Sequence, residues 1–138
     1  MECDFYCYKC KSGLIPGHNY VAIIKIARKV FDNAAAKTKR RPYVRSAYFK
    51  GEKIFLDNFW PHIMQKNPRD RFRRLQLIRA GFELIRDSRK APILIKEGRE
   101  RLYRFLGISA GHQFYVQIKE DPKRRQKFLM SMFSPYEK

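Results

Sequence analysis

His62 follows Trp60 and Pro61 in a stretch that reads as a short helix, so its imidazole would ride on a rigid element. Imidazole is the usual proton carrier near neutral pH. His112 falls in a glycine-containing turn and would be held less firmly. Two further residues are polar exceptions inside apolar runs: Ser131 between Met130, Met132 and Phe133, and Arg104 among Leu102, Phe105 and Leu106. Side chains alternate along a strand, so Phe114, Val116 and Ile118 point one way and Tyr115, Gln117 and Lys119 the other. Tyr115 then offers a ring on which a base can stack, while Lys119, Arg104 and Ser131 offer contacts for a phosphate. A solvated sheet face without a ligand accounts for the same alternation.

Arginines add to this set. On a helix starting at Pro68, Phe72, Leu75, Ile78, Phe82 and Ile85 form an apolar stripe, and at about 100° per residue Arg71, Arg79 and Arg86 fall in the same arc. Their stems could simply cover the edge of the core. Bordering a cleft, the planar guanidinium groups could instead hold a phosphate through paired hydrogen bonds. Arg73 and Arg74 on the same segment, and Lys123, Arg124 and Arg125 between two strands, are further candidates for nucleic-acid contacts.

Cys3, Cys7 and Cys10 with His18 make a possible structural zinc set of three thiolates and one imidazole. Small apolar thiols in a terminal segment explain the irregular spacing better, and an odd number does not suit a disulfide framework. The chain has no glycine-rich phosphate loop, no H-E-x-x-H helix and no G-x-S-x-G turn, so NTPase, zinc protease and serine hydrolase readings lack support. Asp57, Asp70, Glu83 and Asp87 are scattered, as caps and helix-surface residues would be, which argues against a two-metal nuclease.

The elements that must position these groups follow from composition and pattern. Thirty-one Lys and Arg against thirteen Asp and Glu give the 138 residues a net charge of +18. With 44% hydrophobic residues the chain can still offset its conformational entropy and fold as one basic domain, a shape that calls for a polyanionic partner. No apolar run is long enough to span a membrane, and Met1 to Asp4 carry no basic leader, so the expected compartment is the cytoplasm with no membrane partner. Residues 1–17, ending in Pro16 and Gly17, read as an appendage and 18–138 as the domain. A helix capped by Asn19 runs towards Lys37, where the basic residues Lys37, Lys39, Arg40 and Arg41 precede Pro42. A hairpin of Tyr43–Phe49 and Lys53–Leu56 follows. Asp57 caps a short helix to Gln65, Asn67 starts a long one to Arg86 or Ser88, and Pro92 to Gly98 reads as a loop. Three strands, Glu100–Ile108, Gln113–Glu120 and Lys127–Phe133, complete an α+β fold in which N-terminal helices pack on a small antiparallel sheet.

The segments LDNFWPHIMQKNPRDRFRRLQLIRAGFELIRDS, residues 56–88, and FYVQIKEDPKRRQKFLMSMFSP, residues 114–135, resemble phage-associated members of the barnase/EndoU/colicin/RelE-like nuclease superfamily. The resemblance implies helices on a small antiparallel sheet and cleavage of RNA that requires no cofactor, by attack of the ribose 2′-OH. It implies His62 or Lys119 as the proton-moving group, Arg71 and Arg104 stabilising phosphate charge, and Ser131 positioning the scissile phosphate. It also implies a toxin-like role, with an acidic antitoxin or immunity protein as partner. A non-catalytic RNA- or DNA-binding module explains the charge and the sheet aromatics as well, and a zinc-dependent interaction protein using residues 1–18 is a third reading.

Overall fold

The computed structural model of the protein describes residues 3–35 and 40–135, without the side chains of residues 3, 4 and 35. Lys37 and Lys39 of the basic run lie outside the described residues.

The chain forms α1 (Cys3–Tyr6), β1 (Cys7–Lys9), α2 (Tyr20–Ala35), β2 (Tyr43–Ser46), β3 (Glu52–Phe55), α3 (Phe59–Met64), α4 (Pro68–Gln76), α5 (Ile78–Asp87), β4 (Ile93–Glu97), β5 (Glu100–Ser109), β6 (His112–Glu120) and β7 (Lys127–Phe133). The fold is α+β, but the sheet is neither small nor purely antiparallel. It has seven strands in the order β1-β5-β6-β7-β3-β2, with β4 also on β5, and the β1–β5 and β3–β7 pairings are parallel.

Several elements form for local reasons. The Asn19 side chain accepts the backbone N–H groups of Val21 and Ala22 at 2.9 and 3.3 Å, which starts α2, and Ile23, Ala27 and Phe31 then bury one face of it at four-residue spacing. Asn67 likewise accepts the Asp70 N–H at 2.9 Å and starts α4 with Pro68 in the first turn. Asp57 is not the cap of α3; Asn58 occupies that place, and Asp57 instead receives Arg41 Nε at 2.9 Å.

The expected long helix divides at Leu77. In a straight helix Leu75 and Leu77 would point about 200° apart, yet both are buried, together with Ile78. The break reorients the chain so that all three reach the core. It also changes the phase between Arg71 and the arginines beyond it. The loop expected from Pro92 to Gly98 contains β4, which pairs with β5 from Ile93–Arg104 to Glu97–Glu100. The connecting Gly98 has φ of +61°, a value that suits the glycine-first turn of a two-residue hairpin.

Residues 1–17 are not an appendage where the structure describes them. β1 lies beside Leu106–Ile108 of β5, Ile15 is fully buried, and Ile15 exchanges hydrogen bonds with Gln76 at 2.9 and 3.0 Å. Glu83 of α5 fastens this segment, accepting from Tyr8 Oη at 2.8 Å and from the N–H groups of Lys11 and Ser12 at 2.7 Å each. The core lies between the helices and one face of the sheet, where Phe114, Val116, Ile118, Leu129 and Met132 are buried with Phe59, Leu75 and Phe82. Among the described residues no helix is long and apolar enough to cross a membrane.

Candidate functional site

Strands β5, β6 and β7 place Arg104 opposite Gln117 and Gln117 opposite Ser131. The ladder steps from Ile118–Leu129 to Gln117–Ser131, so Met130 is an extra residue. Such a bulge re-aims the strand beyond it. Here it turns Ser131 and Phe133 to the same face as Gln117 and Tyr115, away from the core residues Val116 and Ile118. The alternation expected for β6 holds: Phe114, Val116 and Ile118 are buried, and Tyr115, Gln117 and Lys119 are partly exposed.

The arginines meet on this face. Arg104 donates from Nε and Nη2 to Gln117 Oε1 at 3.2 and 2.9 Å, with its guanidinium 5.4 Å from the Tyr115 ring centre and 5.3 Å from that of Phe133. Arg74 reaches in from α4, donating from Nη1 to Ser131 Oγ at 2.5 Å, with its guanidinium 5.5 Å from the Phe133 ring centre. The geometry is available because β3 pairs only with the first two residues of β7, against which α3 and α4 also pack. Ser131 and Gln117 meet the two guanidinium groups with neutral oxygens. An incoming phosphate could exchange with them.

His62 on α3 feels the same charge. Burial lowers its pKa below the ordinary 6.5, and the positive charges of Lys66 and Arg74 lower it further. At neutral pH its imidazole is therefore uncharged and able to accept a proton. Lys119 lies two residues from Gln117 on the same face and is paired with Glu100 at 2.9 Å. Arg74, Arg104, Tyr115, Gln117 and Ser131 are thus gathered in one region, with Lys119 further along β6 and His62 joined to them through the Arg74 charge.

Arg71 is not. It donates to Tyr20 Oη at 3.2 Å and to the carbonyls of Met64 and Lys66 at 3.1 and 2.9 Å, tying the α3–α4 connection to α2. Its Nε is buried without a hydrogen-bond partner among the described residues. Arg73, Arg79 and Arg86 are exposed, as are Lys123, Arg124 and Arg125 between β6 and β7. Arg79 and Arg86 line, with Arg45, a separate cavity of about 640 Å³ between α2, α5 and β2.

Among the described residues no group of three or more His, Cys, Asp or Glu could hold a metal. The side chain of Cys3, a member of the candidate zinc set, lies outside them. Cys7 is buried and disulfide-bonded rather than a reduced thiol, and His18 is exposed. Cys10 carries a free thiol that donates to the Ala80 carbonyl at 3.6 Å; burial and then the Glu83 charge push its pKa up to about 12.

One participant and one contact escaped the sequence reading. Phe133, flanked by both guanidinium groups, stands two positions from Ser131, and strand alternation alone would have put them on one face. The Arg74–Ser131 contact spans 57 positions and has no local signal. Comparison of the chain with protein-family models, curated proteins and solved structures found no match.

Proposed function

We propose that the protein is a ribonuclease, cleaving RNA by attack of the ribose 2′-OH. The observation that carries this reading is the Arg74–Ser131 contact beside Arg104, which concentrates two guanidinium groups and a hydroxyl, with the Arg74 charge also acting on the His62 imidazole. His62 accepts the 2′-OH proton while O2′ bonds to phosphorus. The P–O5′ bond then breaks, and the Lys119 ammonium gives a proton to the leaving oxygen. Products are a 2′,3′-cyclic phosphate and a 5′-hydroxyl. Arg74 and Arg104 stabilise the charge that develops on the non-bridging oxygens, and Ser131 orients the phosphate. The resemblance of residues 56–88 and 114–135 to the barnase/EndoU/colicin/RelE-like superfamily supports the same chemistry, although Arg71, implied by that resemblance, is engaged in structure.

The test incubates the protein with an oligoribonucleotide and with the same sequence bearing 2′-deoxyribose. Cleavage of the first alone, with a cyclic phosphate product, is expected, and His62→Ala should slow it by about 10²- to 10⁴-fold. Equal cleavage of both removes the 2′-OH mechanism. Binding without cleavage replaces the enzyme with a nucleic-acid-binding module.

A further inference from the structure

The face that carries Arg104, Gln117 and Ser131 does not end there. Across the strands Tyr43 stands opposite Phe55, Phe55 opposite Phe128, and Phe128 opposite Lys119. Cross-strand partners share a face, and Lys119 shares one with Gln117, two residues and about 7 Å away along β6. Burial agrees: Ile54 and Leu129 are fully buried, whereas Tyr43, Phe55 and Phe128 are partly exposed. A row of three rings therefore leads from β7 to the β2 edge, with centres 6.2 and 5.9 Å apart.

Cations cover this row. The Arg41 guanidinium lies 4.0 Å from the Phe55 ring centre and 5.5 Å from that of Phe128. Arg45 and Lys53 lie 5.4 and 4.7 Å from the Tyr43 ring centre. Arg41 Nε is also paired with Asp57 at 2.9 Å. Rings interleaved with positive charge suit a ligand with flat bases and a phosphate backbone.

We propose that this half of the face is a track for single-stranded RNA. Bases stack on Tyr43, Phe128 and the Arg41 guanidinium that overlies Phe55, and Arg45 and Lys53 meet the phosphates between them. Only an unpaired strand can present its bases in this way. The proposal rests on the reading of the Arg74–Ser131–Arg104 region as the place where a phosphodiester is handled, and it gives that site a multi-nucleotide substrate.

The test is an affinity measurement that needs no cleavage. Fluorescent 2′-O-methyl oligoribonucleotides of two and eight nucleotides, and an eight-base-pair duplex, are titrated against the wild type, Arg41→Ala, Tyr43→Leu and Lys53→Gln. The wild type should bind the eight-nucleotide strand more tightly than either the dinucleotide or the duplex. Tyr43→Leu and Arg41→Ala should each lose about five- to a hundredfold on the eight-nucleotide strand, and Lys53→Gln, at an exposed position, should weaken binding chiefly at low salt. Asp57→Asn, which frees Arg41 of its counter-ion, should not weaken binding. Circular dichroism and thermal melting select the variants that fold. Folded variants that match the wild type, or a duplex bound as tightly as the single strand, overturn the track. Its failure is separable from that of the nuclease reading: cleavage of RNA with unaltered variant affinities removes the track alone, and length-dependent, variant-sensitive binding without cleavage removes the nuclease alone.

Discussion

Replacing Glu83 by Gln tests whether the first fifteen residues are held by one buried carboxylate. The Glu83 side chain is 4% exposed and receives three hydrogen bonds of 2.7 to 2.8 Å, two from backbone N–H groups and one from Tyr8. Burial alone would raise its pKa, but hydrogen bonds from Ser12, Lys11 and Tyr8 outweigh it and bring the value to about 2, against an ordinary 4.5. A group whose pKa is lowered by folding adds stability above its unfolded pKa and loses it as pH falls through the folded value. At about 1.4 kcal/mol per pKa unit, Glu83 contributes on the order of 3 kcal/mol at neutral pH, lost between about pH 4.5 and 2. Glu83→Gln removes the charge and turns an amide N–H₂ towards groups that are all donors, so it should cost a similar amount. For a domain of this size that lowers Tm by about 10 °C. Amide exchange gives the local readout: protection of the Lys11 and Ser12 N–H groups should fall about a hundredfold, while amides in the β6 core hold. The variant should also lose most of the wild type's stability change between pH 4.5 and 2. A melting point within about 2 °C of the wild type, or an unaltered acid dependence, refutes the argument that the charge fastens the segment.

Two further perturbations address the site and the core. The Arg74 charge helps lower the His62 pKa, so in Arg74→Gln the acid limb of the kcat/KM profile should move up towards pH 6.5, because the base must be uncharged to act; an unmoved limb separates His62 from the proton transfer. A side chain on Gly81 of α5 would run into the Met132 side chain, so Gly81→Ala should destabilise the fold by about 1–3 kcal/mol in denaturant titrations despite the higher helix propensity of alanine; a stabilised variant shows that the buried Met132 side chain can yield.

How far each element was legible depends on how local its cause is. Asn19 and Asn67 announce their helices because a cap acts over three residues, and Phe114, Val116 and Ile118 announce the buried face of β6 because strand alternation needs no partner. The apolar run at Ile93 was hidden between Pro92 and Gly98, although Gly98 marks a turn within a hairpin, not the end of structure. Arg71 and Arg86 lie on one arc only if the helix is continuous, and the break at Leu77 follows from a demand of the core for Leu75 and Leu77 together. Glu83 looked like a helix-surface carboxylate. Its partners are about seventy positions earlier, and only the parallel docking of β1 on β5 brings them to it.

The candidate site was half legible for the same reason. Each strand showed which of its residues leave the core, so Arg104, Gln117 and Ser131 could be named separately, but their meeting depends on register, and register depends on the bulge at Met130. Were Met130 paired in a regular ladder, it would stand opposite Gln117, and Ser131 and Phe133 would turn to the core face, since a one-residue slip inverts every side chain that follows. Arg74 would then meet Met130 or Met132 where it now meets a hydroxyl. The bulge thus links the strand pattern to the chemistry: it lets a helix on the core side and a strand on the open side present their guanidinium groups to one another. The irregular pairing at Met130 is therefore what joins the charge spread through the chain to a particular place, and any phosphate bound there is held by groups that belong to different layers of the fold.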